Sequence, residues 1–404
     1  MTRYDVAAVR SHFPALREGA AHFDGPGGTQ TPDVVGAAIA NALTSAVANR
    51  GTVTAAERRA EEIVVVARAA MGDLLGLDPA GIVFGRSATE LTFMTARTLA
   101  AGWGPGDEVV VSRLDHDANV RPWVIAAEAV GATVRWASFE PGTGELAVED
   151  VASVVAPRTR LVAVTAASNL IGTRPDLPAI AAAVHDAGAL LYVDGVHATA
   201  HVATDVAASG ADFWVCSPYK FLGPHLGVLG ARPSTLESLH PAKLVPATDA
   251  VPERFEFGTL PYELLAGTTA AVDFLADLAP DDPGADRRDR LVSSFGALEA
   301  YEDSLLAELE PQVRALPGVT VYSNAKRRTP TLLFTSERLP GREIRVALAE
   351  RGINAPAGSF YAWEPSHHLG LGAEGGVRVG LAPYTDRSDI ERLVDGLKDI
   401  LSRA

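Results

Sequence analysis

Short apolar runs alternate, in the first half of this chain, with alanine-rich stretches whose apolar positions recur at helical spacing. The runs are Ile82-Val83-Phe84, Val109-Val110-Val111, Leu161-Val162-Ala163-Val164, Leu190-Leu191-Tyr192-Val193 and Phe213-Trp214-Val215-Cys216. Each is short, continuous and rich in β-branched or aromatic residues, which predicts strands buried on both faces. Strands separated by helical patterns predict an α/β fold with a mostly parallel sheet covered by helices on both sides. Each run ends in polar or turn residues: Arg86-Ser87-Ala88-Thr89-Glu90, Asp115-His116-Asp117-Ala118-Asn119, Ser168-Asn169, Asp194, and Ser217-Pro218-Tyr219-Lys220. Ligands of such sheets bind beyond the carboxyl ends of the strands, where all of these polar groups fall.

The pattern changes near Leu278-Ala279-Pro280-Asp281-Asp282-Pro283-Gly284, where proline, acids and glycine mark an exposed loop. Beyond it the spacing predicts helices over 291–309, 341–350 and 389–401, and strands over 319–321, 331–334 and 376–380. The expected organisation is a large domain over 20–280 and a smaller α/β domain formed by 1–19 and 281–404. No internal repeat or low-complexity tract interrupts it.

The chain has 404 residues, 47% of them hydrophobic and 21% charged, which is the composition of an ordinary globular protein. A net charge of −15 with no basic cluster argues against binding to a phosphate backbone. One cysteine rules out an internal disulfide or a cysteine-cluster metal site. The N-terminal Met1-Thr2-Arg3-Tyr4-Asp5-Val6 has no apolar signal core, and no apolar run approaches membrane-spanning length. The expected location is the cytoplasm, with no membrane or nucleic-acid partner. His367-His368 has no matching ligands elsewhere and reads as loop or surface, so no metal site is expected.

The candidate chemistry rests on Lys220 and Asp194. An amine and a carboxylate at the ends of two inner strands suggest pyridoxal 5'-phosphate: the lysine would hold the aldehyde, and the aspartate would pair with the ring nitrogen. Each has a plainer reading, a surface lysine and a cap for the next helix. Ser87-Ala88-Thr89 opens a helix, whose N-terminus suits a phosphate, although Ser87 could serve only as the N-cap. Ser217 and Tyr219 would add hydroxyl donors. His116 would lie on the cofactor ring and move a proton, or be an ordinary loop histidine. Asn169 and His197 could each reach the ring oxygen, or be turn residues. Arg378, between Val377 and Val379, must point to water or to a partner: a substrate carboxylate or a surface ion pair.

In order along the chain, several motifs carry a family resemblance. They are Asp24-Gly25-Pro26-Gly27-Gly28-Thr29, Arg86-Ser87-Ala88-Thr89-Glu90, Asp115-His116-Asp117-Ala118-Asn119 and Ser168-Asn169-Leu170-Ile171-Gly172-Thr173, then Val193-Asp194-Gly195, Ser217-Pro218-Tyr219-Lys220 and Phe255-Glu256-Phe257-Gly258-Thr259. With them the chain resembles the class V aminotransferases of the cysteine desulfurase-like group, pyridoxal-phosphate enzymes of fold type I. The resemblance implies that Lys220 carries the cofactor, Asp194 binds the pyridine nitrogen, His116 stacks on the ring and Asn169 touches the ring hydroxyl. It implies that Ala88, Thr89, Ser217 and Tyr219 hold the phosphate and that Arg378 binds the carboxylate of an amino-acid substrate. It also implies a homodimer in which Thr259 reaches the neighbouring site.

The departures concern the reaction. Desulfurases carry a nucleophilic cysteine on a loop before the carboxylate-binding arginine, but here the stretch Asn354-Ala355-Pro356-Ala357-Gly358-Ser359-Phe360-Tyr361-Ala362-Trp363 has none. Cys216 precedes Ser217 in a strand, so alternation turns it away from the site into the core. His197 and Tyr219 stand where many desulfurases have glutamine and histidine. The favoured expectation is a C–S lyase acting by β-elimination. The alternatives are an aminotransferase, a desulfurase with an external thiol acceptor, and a non-catalytic homologue that binds the cofactor or a partner. Phe360, Tyr361 and Trp363 are either a wall of the site or small-domain core. No G-x-G-x-x-G follows an early strand, which argues against a dinucleotide fold.

Overall fold

The computed structural model describes residues 4–403. Its main sheet has seven strands in the order Ile82–Gly85, Gly227–Ala231, Phe213–Cys216, Leu190–Asp194, Thr159–Thr165, Glu108–Ser112, Thr133–Ala137. Phe213–Cys216 and the four strands after it in that order pair in parallel. Gly227–Ala231 runs antiparallel to both of its neighbours. Only 221–226 separate Lys220 from Gly227, too short a link for the helical crossover that a parallel neighbour needs.

Strict alternation along the strands explains how the sheet is held. Val110, Val162, Val164, Leu191, Val193, Trp214 and Cys216 join one buried cluster. Val109, Val111, Leu161, Ala163, Tyr192, Phe213 and Val215 join another. Side chains of successive residues point to opposite faces, so these are the two faces of one sheet.

A second sheet, in the order Ala357–Gly358, Gly376–Gly380, Thr331–Ser336, Val319–Val321, is antiparallel throughout. The strand Ala21–His22 pairs with Ile353–Asn354, joining an early segment to a late one. The helix expected over 291–309 extends further, as Arg287–Arg314, because Asp286 caps it by accepting the N–H of Asp289 at 2.9 Å. Its Leu291, Phe295 and Leu298 enter the large core, whereas Leu305, Leu309 and Val313 enter the core around the second sheet. One helix therefore ties both hydrophobic cores together.

The edge strand Ile82–Gly85 is held from outside by Glu256. Glu256 takes two hydrogen bonds from Arg68, at 2.9 and 2.7 Å, and a third from the N–H of Phe84 at 2.8 Å. Arg68 Nη1 also donates to the carbonyl of Ile82. A bidentate pair with both side chains nearly dry is costly to break from one side, because the other charge stays buried. Glu256→Ala is expected to lower stability by about 3–5 kcal/mol. Thermal melting followed by circular dichroism checks this, and an unchanged midpoint would contradict it. Among the described residues, no helix is long and apolar enough to cross a membrane.

Candidate active site

The polar residues at the strand ends converge on one cavity of about 340 Å³. Its lining includes Ala88, Thr89, His116, Asn169, Asp194, His197, Ser217, Tyr219, Lys220 and Arg378. Thr259 is not on this wall; it lines a separate cleft with Arg86, His225 and Phe257.

Lys220 closes the short turn Pro218–Lys220 that follows its strand, and its Nζ donates to the carbonyl of Pro26. Burial pushes the amine down to about 7, Arg378 adds to that effect, and Asp194 opposes it. An amine so placed is largely deprotonated just above neutrality, which a nucleophile for an aldehyde requires.

Asp194 ends its strand, and its Oδ1 accepts the N–H of Val196 at 2.9 Å. Burial raises the carboxyl to about 6, against the pull of that N–H and of Lys220. A carboxyl in that range shares a proton readily with a ring nitrogen.

His116 accepts the N–H of Ala118 on Nδ1 at 3.0 Å, which leaves the proton of the neutral ring on Nε2. Burial, then Lys220 and Arg378, push it down to about 4, so the ring is uncharged at neutral pH. Its face is near Tyr361, with ring centroids 5.7 Å apart.

Ser87 does act as an N-cap, accepting the N–H of Glu90 at 3.1 Å. The cap leaves the N–H groups of Ala88 and Thr89 outside the helical ladder, at the positive end of the helix Ala88–Ala100. Gly227 makes the close packing here possible: a Cβ on it would sit 2.3 Å from the backbone of Ser87.

Arg378 is 2% exposed and points inward, not to water. Its Nη1 donates to the carbonyl of Asn169 at 2.9 Å, and its guanidinium carbon lies 3.8 Å from the ring centroid of Phe360. Its Nε is buried without a partner. Burial pushes the group down to about 9, against the pull of Asp24. Asn169 donates from Nδ2 to the carbonyl of Phe360 at 3.0 Å, and its Oδ1 is also buried and unpartnered.

His197 lines the cavity, but its Nε2 is committed to Thr329 and Thr331 at 2.9 and 3.0 Å. Asn169, with an open amide oxygen, is therefore the better placed of the two residues expected at a ring oxygen. Behind His197 lies His201, whose Nδ1 meets Glu302 of the long helix at 2.9 Å. Tyr219 stacks on His225 with centroids 4.7 Å apart, which holds its ring against the cavity.

Of the three aromatic residues left open by the sequence, Phe360 and Tyr361 line the cavity and Trp363 does not. Trp363 is 47% exposed and packs on His367. The histidine pair, expected in a loop or at the surface, belongs to the short helix Trp363–His368: His367 is exposed, and His368 bonds the carbonyl of Phe139 at 2.8 Å. No cluster of His, Cys, Asp or Glu among the described residues could hold a metal ion. Cys216 is fully buried in the sheet core, where burial pushes its thiol far up. Pro26 and Gly27 were not singled out from the sequence as site residues, yet both line the cavity.

These residues fit pyridoxal phosphate. They offer a deprotonatable amine, a carboxyl beside it, a neutral ring for stacking and a helix N-terminus for the phosphate. Among the cavity-lining residues, Asn169 Oδ1 and Arg378 Nε are buried without partners, which a bound cofactor and substrate would supply.

Comparison with known proteins adds a family. A model described as aminotransferase class-V matches residues 21–393. An uncharacterized protein of Mycobacterium tuberculosis (strain CDC 1551 / Oshkosh) is 34% identical over 399 residues, 98% of this chain and 99% of that one. A cysteine desulfurase of Klebsiella pneumoniae (strain 342) is 29% identical over 418 residues, 98% of each chain. The crystal structure of the cysteine desulfurase CsdA from Escherichia coli is similar with a TM-score of 0.87, covering 99% of both chains at 27% identity.

Proposed function

This chain belongs to the aminotransferase class-V family of pyridoxal-phosphate enzymes, and we propose that its reaction is β-elimination of a sulfur-bearing group from an amino acid. One observation carries the choice. The only thiol in the chain, Cys216, lies buried in the sheet core, so no side chain at the cavity can take sulfur from the substrate.

The bound cofactor supplies an electron sink for the bonds at Cα. Arg378 would hold the substrate carboxylate, for which its buried, unpartnered Nε is a further donor. Lys220 Nζ takes the proton from Cα. Asp194 would pair with the ring nitrogen of the cofactor, and His116, uncharged at neutral pH, would lie against the ring. The N–H groups of Ala88 and Thr89, with Ser217 and Tyr219, would hold the phosphate. As the Cβ–S bond breaks, the proton taken from Cα by Lys220 would pass to the departing sulfur, which leaves as a thiol, and water would convert the remaining enamine to a 2-keto acid and ammonia.

Incubating the holoenzyme with L-cysteine tests this reading. Pyruvate and sulfide in equal amounts support elimination, whereas alanine with thiol-bound sulfur overturns it. Cys216→Ala separates the alternatives further. It is expected to cost about 1 kcal/mol of stability, as a small loss of buried volume does, and to leave product identity and rate unchanged. A variant that no longer released sulfur from cysteine would return the sulfur-accepting role to Cys216.

The same proposal includes a homodimer, with Thr259 serving the neighbouring cavity. Its support is that Thr259 stands off its own cavity, beside Phe257, which is 54% exposed.

A further inference from the structure

The segment that forms the outer wall of the cavity is held in an unusual backbone conformation. Phe360 and Tyr361 have φ of 56° and 57°, in the left-handed region that bulky side chains rarely enter. The surroundings hold it there. The carbonyl of Phe360 accepts Asn169 Nδ2 at 3.0 Å, and the carbonyl of Tyr361 accepts the N–H of Asp117 at 2.8 Å. The helix that follows is tied to the same side through Glu364, which meets Arg113 at 2.8 Å and Arg121 at 3.5 Å. Gly375 permits the strand beside it: a Cβ there would lie 2.0 Å from the carbonyl of Gly358. The loops that carry His116 and Asn169 thus grip the turn directly.

This construction has a visible product. The Phe360 ring lies under the guanidinium of Arg378, and the Tyr361 ring stands at the mouth, 79% exposed. The Tyr361 ring is left in water while its backbone is held in an unfavourable conformation, and such strain collects at ligand-binding sites. The charged groups of the cavity are Lys220, Asp194 and Arg378, which the α-amino acid core and the cofactor engage. The rest of the lining includes Pro26, Gly27, Ala118, Val196 and Tyr219, none of them charged.

From this arrangement, and resting on the elimination reading above, we infer that the substrate is an S-substituted cysteine, a thioether whose apolar or aromatic group on sulfur packs on the face of Tyr361. Phe360 packs on the guanidinium of Arg378. Tyr361 selects the substrate. Free cysteine, which ends at its thiol, would leave that face in water.

Calorimetric titration of the holoenzyme with L-phenylalanine and L-alanine, at a temperature and time at which no 2-keto acid is detected, tests the inference without elimination, since neither carries a sulfur leaving group. L-phenylalanine is expected to bind about tenfold more tightly, the scale of one aromatic contact. Tyr361→Ala should lose about tenfold for L-phenylalanine and stay within about twofold for L-alanine. Tyr361→Phe should match the parent. Equal affinities for the two amino acids, or an equal loss for both in Tyr361→Ala, would overturn the inference. So would dissociation of Tyr361→Ala on size-exclusion chromatography, which would assign the ring to a subunit contact. Product analysis with S-benzyl-L-cysteine separates the two proposals. Tight binding without pyruvate leaves the wall standing and removes elimination. Pyruvate from cysteine together with no preference for L-phenylalanine does the reverse.

Discussion

Lys220→Ala is expected to reduce turnover by about 10²–10⁴-fold from the lost proton transfer alone. It should also end covalent attachment: borohydride treatment followed by mass spectrometry of the intact chain would show the cofactor's added mass on the parent and not on the variant. The same amine gives a pH signature. Lowered by burial, then by Arg378, to about 7, it is protonated and unreactive below that value and free above it. The rate at which the apoprotein takes up the cofactor should therefore rise between about pH 6 and 8 and then level off. Lys220→Arg keeps the charge near Asp194 but cannot attack an aldehyde, so it should behave like the alanine variant. Turnover within tenfold of the parent in both variants would remove Lys220 from the chemistry.

Arg378→Ala carries the second large effect. Truncating one member of a buried charge pair costs about 2–5 kcal/mol, so amino-acid affinity should fall roughly 30-fold or more. Arg378→Lys should recover only part of it, because an ammonium replaces neither the fork nor the stack on Phe360. An amine that lacks the carboxylate is the control: it should bind the parent and Arg378→Ala equally weakly. Burial disfavours the charge on Arg378 while Asp24, and then the bound carboxylate, favour it, so carboxylate affinity should hold through neutral pH. Amino-acid affinities that do not differ between parent and Arg378→Ala would place the carboxylate elsewhere.

Much of the site was legible because its residues sit where regular patterns stop. The runs ending at Asp194 and Cys216 are short, apolar and buried on both faces, so their carboxyl ends could be read from composition and spacing. The role of Pro26 was not legible, since Lys220 uses its carbonyl and backbone atoms carry no residue signature. Gly227–Ala231 was missed as a strand because its two glycines dilute the apolar signal, and its antiparallel direction follows from a short link. His197 looked free to meet a cofactor. Thr329 and Thr331, more than a hundred residues away in sequence, already occupy its Nε2. The division among Phe360, Tyr361 and Trp363 depends on two left-handed residues, and side-chain direction through such a turn cannot be counted from spacing.

The burial of Cys216 has a practical consequence. A thiol that is inaccessible and held far from ionisation gives alkylating reagents nothing to attack, so the folded protein should be blank to maleimides. Any cysteine introduced at the surface would then be the sole point of labelling. A fluorophore or spin label could be placed on the mouth segment or the long helix with no native thiol to remove first.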